Sequence, residues 1–166
     1  MVLKAELEIA YRLQQDFIKP VKSFIPREYP APVKGNHVEV ISGIRRCGKS
    51  TLMDQIKRRY RGGIGYFNFE DPRVHDFDVV DFPKLDEVIG PKTKTYFFDE
   101  IQNVPSWEIY VRQLHDRGKK VFITGSNASL LSKELGSRLT GRHVRHELFP
   151  FSYSEFLLYT RSKNTP

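Results

Sequence analysis

The 166-residue sequence predicts an α/β sandwich, a parallel sheet covered on both faces by helices. Three observations predict it. Short β-rich runs alternate with helical segments along most of the chain, the pattern of crossover units. The runs "YFF" and "VFI" are apolar at consecutive positions, as strands buried on both faces are. The first strand passes through a glycine-bearing, cationic turn straight into a helix, "VEVISGIRRCGKSTLMDQI" (Val38 to Ile56).

"LKAELEIAYRLQQDFI" (Leu3 to Ile18) has helical periodicity, with Leu3, Leu7, Tyr11 and Ile18 close to one face, and Lys19-Pro20 stops it. Three prolines make "IPREYPAPVKGN" (Ile25 to Asn36) a linker or extended arm. Strands are predicted at 37–42, 64–69, 93–98, 120–124 and 143–148. Helices are predicted at 49–59, 82–89, 106–117, 128–135 and 154–159. The expected division is an N-terminal helix and arm over 1–36, a core over 37–160 and a tail over 161–166. In open sheets of this kind ligands bind beyond the carboxyl ends of the strands.

Composition narrows the class. Apolar residues make up 39% and aromatics 13%, enough large side chains for a packed core, so whole-chain disorder is excluded. One cysteine excludes an internal disulfide framework and fits a reducing, cytoplasmic compartment. No apolar run approaches the length of a membrane span, so no membrane partner is expected. Lys4, Glu6, Glu8 and Arg12 interrupt the first segment, which does not read as a signal peptide. The net charge of +7 suits an acidic partner: a nucleotide, nucleic acid such as DNA, or an anionic surface. The basic residues are scattered, and charge alone does not choose among these. Trp107 reads as a helix anchor, and the five histidines form no ligand set.

"GIRRCGKS" (Gly43 to Ser50) satisfies G-x-x-x-x-G-K-[ST] between a predicted strand and a predicted helix. Gly43 and Gly48 permit backbone conformations closed to other residues, so successive N–H groups of Ile44, Arg45, Arg46 and Cys47 can turn toward phosphate oxygens. The start of the helix at Lys49 adds its positive dipole end. Lys49 can reach the terminal phosphates, Ser50 offers a hydroxyl to Mg²⁺, and Thr51 lies near the α-phosphate. A thiol at Cys47 is expected to be alkylated in competition with nucleotide.

"TYFFDE" (Thr95 to Glu100) is an apolar strand ending in two carboxylates. Asp99 is placed to hold the Mg²⁺ shell, and Glu100 to polarise a water against the γ-phosphate. The tandem favours hydrolysis over phosphotransfer to a small molecule. "ITGSN" (Ile123 to Asn127) ends the next strand. Its Ser126 or Asn127, with Thr124 behind, is either a contact to phosphate and water or an ordinary helix cap.

Together with "FNFEDPR" (Phe67 to Arg73), "DEIQNVPSWEIYVRQLHDRG" (Asp99 to Gly118) and "LTGRHVRHELFPFSYSEFL" (Leu139 to Leu157), these motifs resemble the AAA+ ATPase superfamily. The resemblance is to the archaeal and bacterial branch carrying a C-terminal domain of unknown function. It implies a three-layer α/β/α sandwich with a five-stranded parallel sheet in order 5-1-4-3-2. It implies ATP as nucleotide, Walker A at Gly43 to Ser50, Walker B at Asp99 and Glu100, and sensor 1 near Ser126. An arginine before the fifth strand then acts on a neighbouring subunit's nucleotide; Arg142 matches best and Arg138 second. Asn68 or Glu70 matches a glutamate-switch position. "IPREYP" (Ile25 to Pro30) is a candidate adenine-pocket lining. The family's helical lid would follow "PFSYSEFL", so the sequence reads as a truncated core with weak ATPase activity whose longer form assembles as a homo-oligomer. The alternative is a nucleotide-dependent DNA-binding or scaffold module with little intrinsic hydrolysis.

Overall fold

A computed structural model describes residues 1–17, 25–29, 35–60, 62–126 and 139–163. The elements in chain order are α1 (Lys4–Phe17), β1 (Val38–Gly43), α2 (Lys49–Lys57), β2 (Ile64–Asn68), α3 (Phe82–Ile89), β3 (Thr95–Asp99), α4 (Trp107–Asp116), β4 (Lys120–Gly125), β5 (His143–Leu148) and α5 (Tyr153–Lys163). The expected helix at 128–135 lies outside the described residues.

All five strands form one sheet in the order β2-β3-β4-β1-β5, and every pairing is parallel. Read from the other edge this is the expected 5-1-4-3-2. Burial follows position in the sheet. β1 and β3 are buried throughout, as "YFF" required of β3, whereas the edge strand β2 alternates buried and half-buried positions and the edge strand β5 buries Leu148 alone.

Successive strand residues face opposite sides, and the two sides make two cores. Val40, Phe67, Phe98, Val121 and Ile123 pack with Leu7 of α1, Phe82 and Leu85 of α3, and Trp107 and Leu114 of α4. Ile41, Phe97 and Phe122 pack on the other side with Leu52, Met53 and Ile56 of α2. Phe97 and Phe122 stack at 4.8 Å across neighbouring strands, and Phe82 stacks on Tyr110 at 4.0 Å. Burying each such side chain contributes about 1.5–3 kcal/mol. Trp107 is fully buried at the start of α4, as an anchoring indole should be.

The N-terminal helix packs on this first core through Leu7 and Tyr11 of the expected face, but Leu3 does not join them. Leu7 is buried and Tyr11 half-buried, whereas Leu3 is 68% exposed; Ile18 lies outside the described residues. Leu3 sits at the helix start, where its carbonyl accepts from Glu6 and Leu7 N–H and its own N–H meets Glu6 Oε2. Val2 is buried instead, its N–H donating to buried Asp81 and its carbonyl accepting from Lys84. Further along α1, buried Gln14 brackets the end of β2. Its amide donates to the Asn68 carbonyl (3.1 Å) and its oxygen accepts the Asn68 N–H (2.8 Å).

Gly43 ends β1 where no side chain fits. A Cβ there would lie 2.4 Å from the Leu148 carbonyl oxygen and 2.8 Å from Cys47 Sγ. Backbone cannot step aside as a flexible side chain can, so Gly43→Ala is expected to cost about 1–3 kcal/mol. A urea denaturation midpoint moved down at unchanged slope would register it.

Candidate functional site

The carboxyl ends of β1, β3 and β4 converge on the turn between β1 and α2. Gly48 adopts φ 97° and Arg46 φ 65°, left-handed conformations that curl the loop before α2 begins at Lys49. Outside the curl lies a cleft of about 410 Å³, lined by Arg45, Arg46 and the Gly48–Thr51 turn and faced by Glu70 and Glu100. Cationic side chains, a helix N-terminus and hydroxyls suit a phosphate chain.

Lys49 is buried, its ammonium 3.3 Å from the Gly43 carbonyl, 3.2 Å from that of Ile44 and 3.5 Å from Glu100 Oε1. Asp99 is 1% exposed at the end of β3. Burial pushes its carboxyl above the usual range, against hydrogen bonds from Thr124 and Tyr66. Thr124 fixes the tandem acids together: its hydroxyl donates to Asp99 Oδ1 and accepts the Glu100 N–H at 2.9 Å.

Glu100 itself sits at φ 53°, left-handed and strained for a side-chain-bearing residue. Its Oε2 accepts from Gln102 Nε2 at 2.7 Å and from the Ser126 N–H at 3.1 Å. Burial would raise its pKa, but these bonds and the charge of Lys49 outweigh it and hold the carboxyl below the usual range. Gln102 Nε2 also reaches Ser126 Oγ at 3.1 Å. Glu100 thus meets Gln102 and Ser126. Asn68 and Glu70 turn elsewhere: Asn68 Oδ1 accepts the Glu70 N–H, and Glu70 pairs with Arg45 at 2.7 Å across the cleft mouth.

Ser50 lines the cleft, close to Asp99 at the end of β3. Among the described residues no three His, Cys, Asp or Glu side chains cluster to hold a metal. One hydroxyl and one carboxylate are a Mg²⁺ donor set only when phosphate oxygens and water complete the octahedron, which is how that ion is ordinarily bound beside nucleotides.

The Cys47 side chain does not join the cleft, and Arg142, read from the sequence as serving a neighbouring subunit's nucleotide, lies away from it. The Cys47 thiol is buried with Ile41, Leu52 and Met53, so the expectation of alkylation in competition with nucleotide is corrected. The loop turns that side chain into the core, while the Cys47 N–H donates to the Ile44 carbonyl at 3.3 Å and its carbonyl accepts from Arg27. Arg142 precedes β5 at the end of the sheet away from the loop: His143 pairs with Val38, whereas Leu148 pairs with Gly43. Six residues of strand at about 3.3 Å each separate it from its own cleft. Its guanidinium lies 3.8 Å from Asp116 and is 39% exposed. Asn127 and Arg138 lie outside the described residues. Sequence reasoning missed Gln102, whose signal is its place two residues after Glu100, and Arg27, which carries no local signal.

The AAA domain family matches residues 35–157, most of the chain and all of this cleft. The chain belongs to that family. Among its relatives, the AAA domain is 38% identical over 138 residues to the uncharacterized protein MJ1544 of Methanocaldococcus jannaschii, covering 81% of this chain and 31% of that protein. It is 40% identical over 131 residues to an uncharacterized protein of Haemophilus influenzae, covering 72% of this chain and 33% of the other. The chain spans about a third of the length of these curated relatives. Among solved structures, C. elegans PCH-2 aligns with a TM-score of 0.49 at 14% identity, over 96% of this chain and 45% of that one. The Thermotoga maritima RuvB Holliday junction branch migration motor aligns with a TM-score of 0.49 at 17% identity, over 92% and 46%. Among the described residues no helix is long and apolar enough to cross a membrane.

Proposed function

We propose that this AAA domain binds ATP with Mg²⁺ and hydrolyses it to ADP and phosphate, as the switch or motor module of a longer cytoplasmic protein that assembles as a homo-oligomer. The observation that carries the reading is the half-buried Glu100 carboxylate, 3.5 Å from the phosphate-loop lysine beside a cationic cleft. A domain that only bound nucleotide would have no use for a second carboxylate beside Asp99.

Each residue has a task in that chemistry. The loop N–H groups and Lys49 bind and orient the phosphates, and Ser50 and Asp99 would hold Mg²⁺, whose charge favours transfer of the terminal phosphoryl group. Glu100 orients a water toward the γ-phosphorus and takes its proton as the P–O bond to ADP breaks. Ser126 and Gln102 hold Glu100 at that station. Arg142 is assigned to a neighbouring subunit's cleft, because its own lies a strand's length away. A narrower cavity of about 200 Å³ between Tyr29, Ile41, Leu52 and Leu148 supports the adenine lining read from the arm.

Phosphate release followed with ATP and Mg²⁺ tests this. Wild-type protein should release phosphate, chelating the metal should stop it, and Lys49→Ala should weaken ATP binding by about 10-fold or more, on the scale of a lost charge-assisted contact. Phosphate release that ignores both chelation and Lys49→Ala would refute the reading.

A further inference from the structure

Arg27 stands in the proline-bearing arm, before the segment that the family covers. Its guanidinium is only 3% exposed and every face is engaged. Nε donates to Glu155 Oε1 at 2.9 Å, Nη1 to the Cys47 carbonyl at 2.6 Å and Nη2 to the Phe149 carbonyl at 2.7 Å. The Phe151 ring lies over it at 5.1 Å. One side chain therefore joins the phosphate loop, the end of β5 and the first turn of α5.

The contact at Cys47 has a directional consequence. Among the described residues no peptide bond is cis, and in a planar trans peptide the N–H points opposite to the carbonyl. Fixing the Cys47 carbonyl on the Arg27 side fixes the Gly48 N–H toward the other side of the loop, and Gly48 lines the cleft. The fit behind the loop is close: a Cβ on Gly48 would lie 2.7 Å from Arg27 Nη1.

Glu155 is equally committed. It is 2% exposed, and besides Arg27 it accepts the Glu28 N–H at 2.7 Å and the Ser152 N–H at 2.8 Å. Those bonds outweigh burial and keep its carboxyl below the usual range. Moving α5 away would strand a buried guanidinium, and releasing the loop would strand one of its donors. Uncompensated buried charge is strongly unfavourable, so loop and helix seat together.

We propose that Arg27 is the positioning residue of the phosphate loop and that its pairing with Glu155 makes triphosphate binding and the seating of α5 depend on each other. The second half rests on the reading of the cleft as an ATP site; the first does not. Arg27→Lys keeps the charge but cannot serve three acceptors, and Glu155→Gln keeps the shape but loses the ion pair.

Hydrogen exchange of the unliganded chain tests the first half. Amides of residues 44–50 should exchange at least about 10-fold faster in Arg27→Lys, the range of local opening set by a few lost contacts. Steady-state kinetics and exchange with a non-hydrolysable ATP analogue test the second. Arg27→Lys should raise KM for ATP with kcat nearly unchanged, a split that general loosening of the fold would not give. Wild-type α5 should gain protection on analogue binding, and Glu155→Gln should lose that gain. If Arg27→Lys does not fold, Glu155→Gln alone decides: unchanged KM and an unchanged gain at α5 overturn the proposal. Folded variants with wild-type loop exchange and wild-type KM also overturn it. A wild-type chain that binds no analogue sinks the ATP reading and the coupling, while loop exchange still decides the positioning role.

Discussion

Glu100→Gln should bind ATP as the parent does and release phosphate about 10²-fold more slowly or worse, the scale of a lost general base. The substitution is nearly isosteric, so the bonds that hold the side chain from Gln102 and the Ser126 N–H have an acceptor still. What disappears is the negative charge that draws a proton from water. Lys49 loses a partner at 3.5 Å, which frees its ammonium for phosphate and keeps binding intact or slightly tighter. Titration with a fluorescent ATP analogue and single-turnover phosphate release separate the two effects. Parent-rate hydrolysis by the variant would remove Glu100 from the chemistry.

The other large effect concerns Arg142. An arginine supplied from a neighbour can contribute about 10³–10⁵ in rate by stabilising charge on the transferring phosphoryl group. Arg142 sits at the amino end of β5, far from its own cleft and partly exposed, its guanidinium 3.8 Å from Asp116. This stretch of chain is therefore expected to be largely monomeric at micromolar concentration, with weak turnover that rises with concentration. In an assembled longer protein, Arg142→Ala should abolish most turnover. Mixing Arg142→Ala with Glu100→Gln subunits should restore part of it, because some interfaces then pair an intact cleft with an intact arginine. Fast turnover per subunit that does not change on dilution would exclude a role in trans.

The strand-turn-helix of the phosphate loop could be read from sequence because its geometry needs particular residues at fixed positions. Gly48 at φ 97° tolerates no ordinary side chain, and Gly43 faces a carbonyl at a distance no Cβ survives. β3 and β4 announced themselves through unbroken apolar runs, since a strand covered on both faces has no wet side. The start of α1 did not, because the first turn of a helix answers to its end groups as much as to periodicity: Leu3 takes the capping place and Val2 the buried one, while Leu7 and Tyr11 pack as expected. Cys47 misled for a related reason. Nearness to Lys49 in sequence says nothing about which way a tight turn throws each side chain. Arg27 was out of reach altogether, since its partner Glu155 is 128 residues away and neither residue has a local pattern to mark it.

Calorimetric titration of the protein with a non-hydrolysable ATP analogue, with and without Mg²⁺, tests most directly that the turn from Gly43 to Thr51 is a triphosphate site. Saturable one-to-one binding is expected, strengthened by Mg²⁺ through Ser50 and Asp99 and weakened at least about 10-fold by Lys49→Ala. No binding by folded wild-type protein, or binding that Lys49→Ala leaves untouched, would contradict the account.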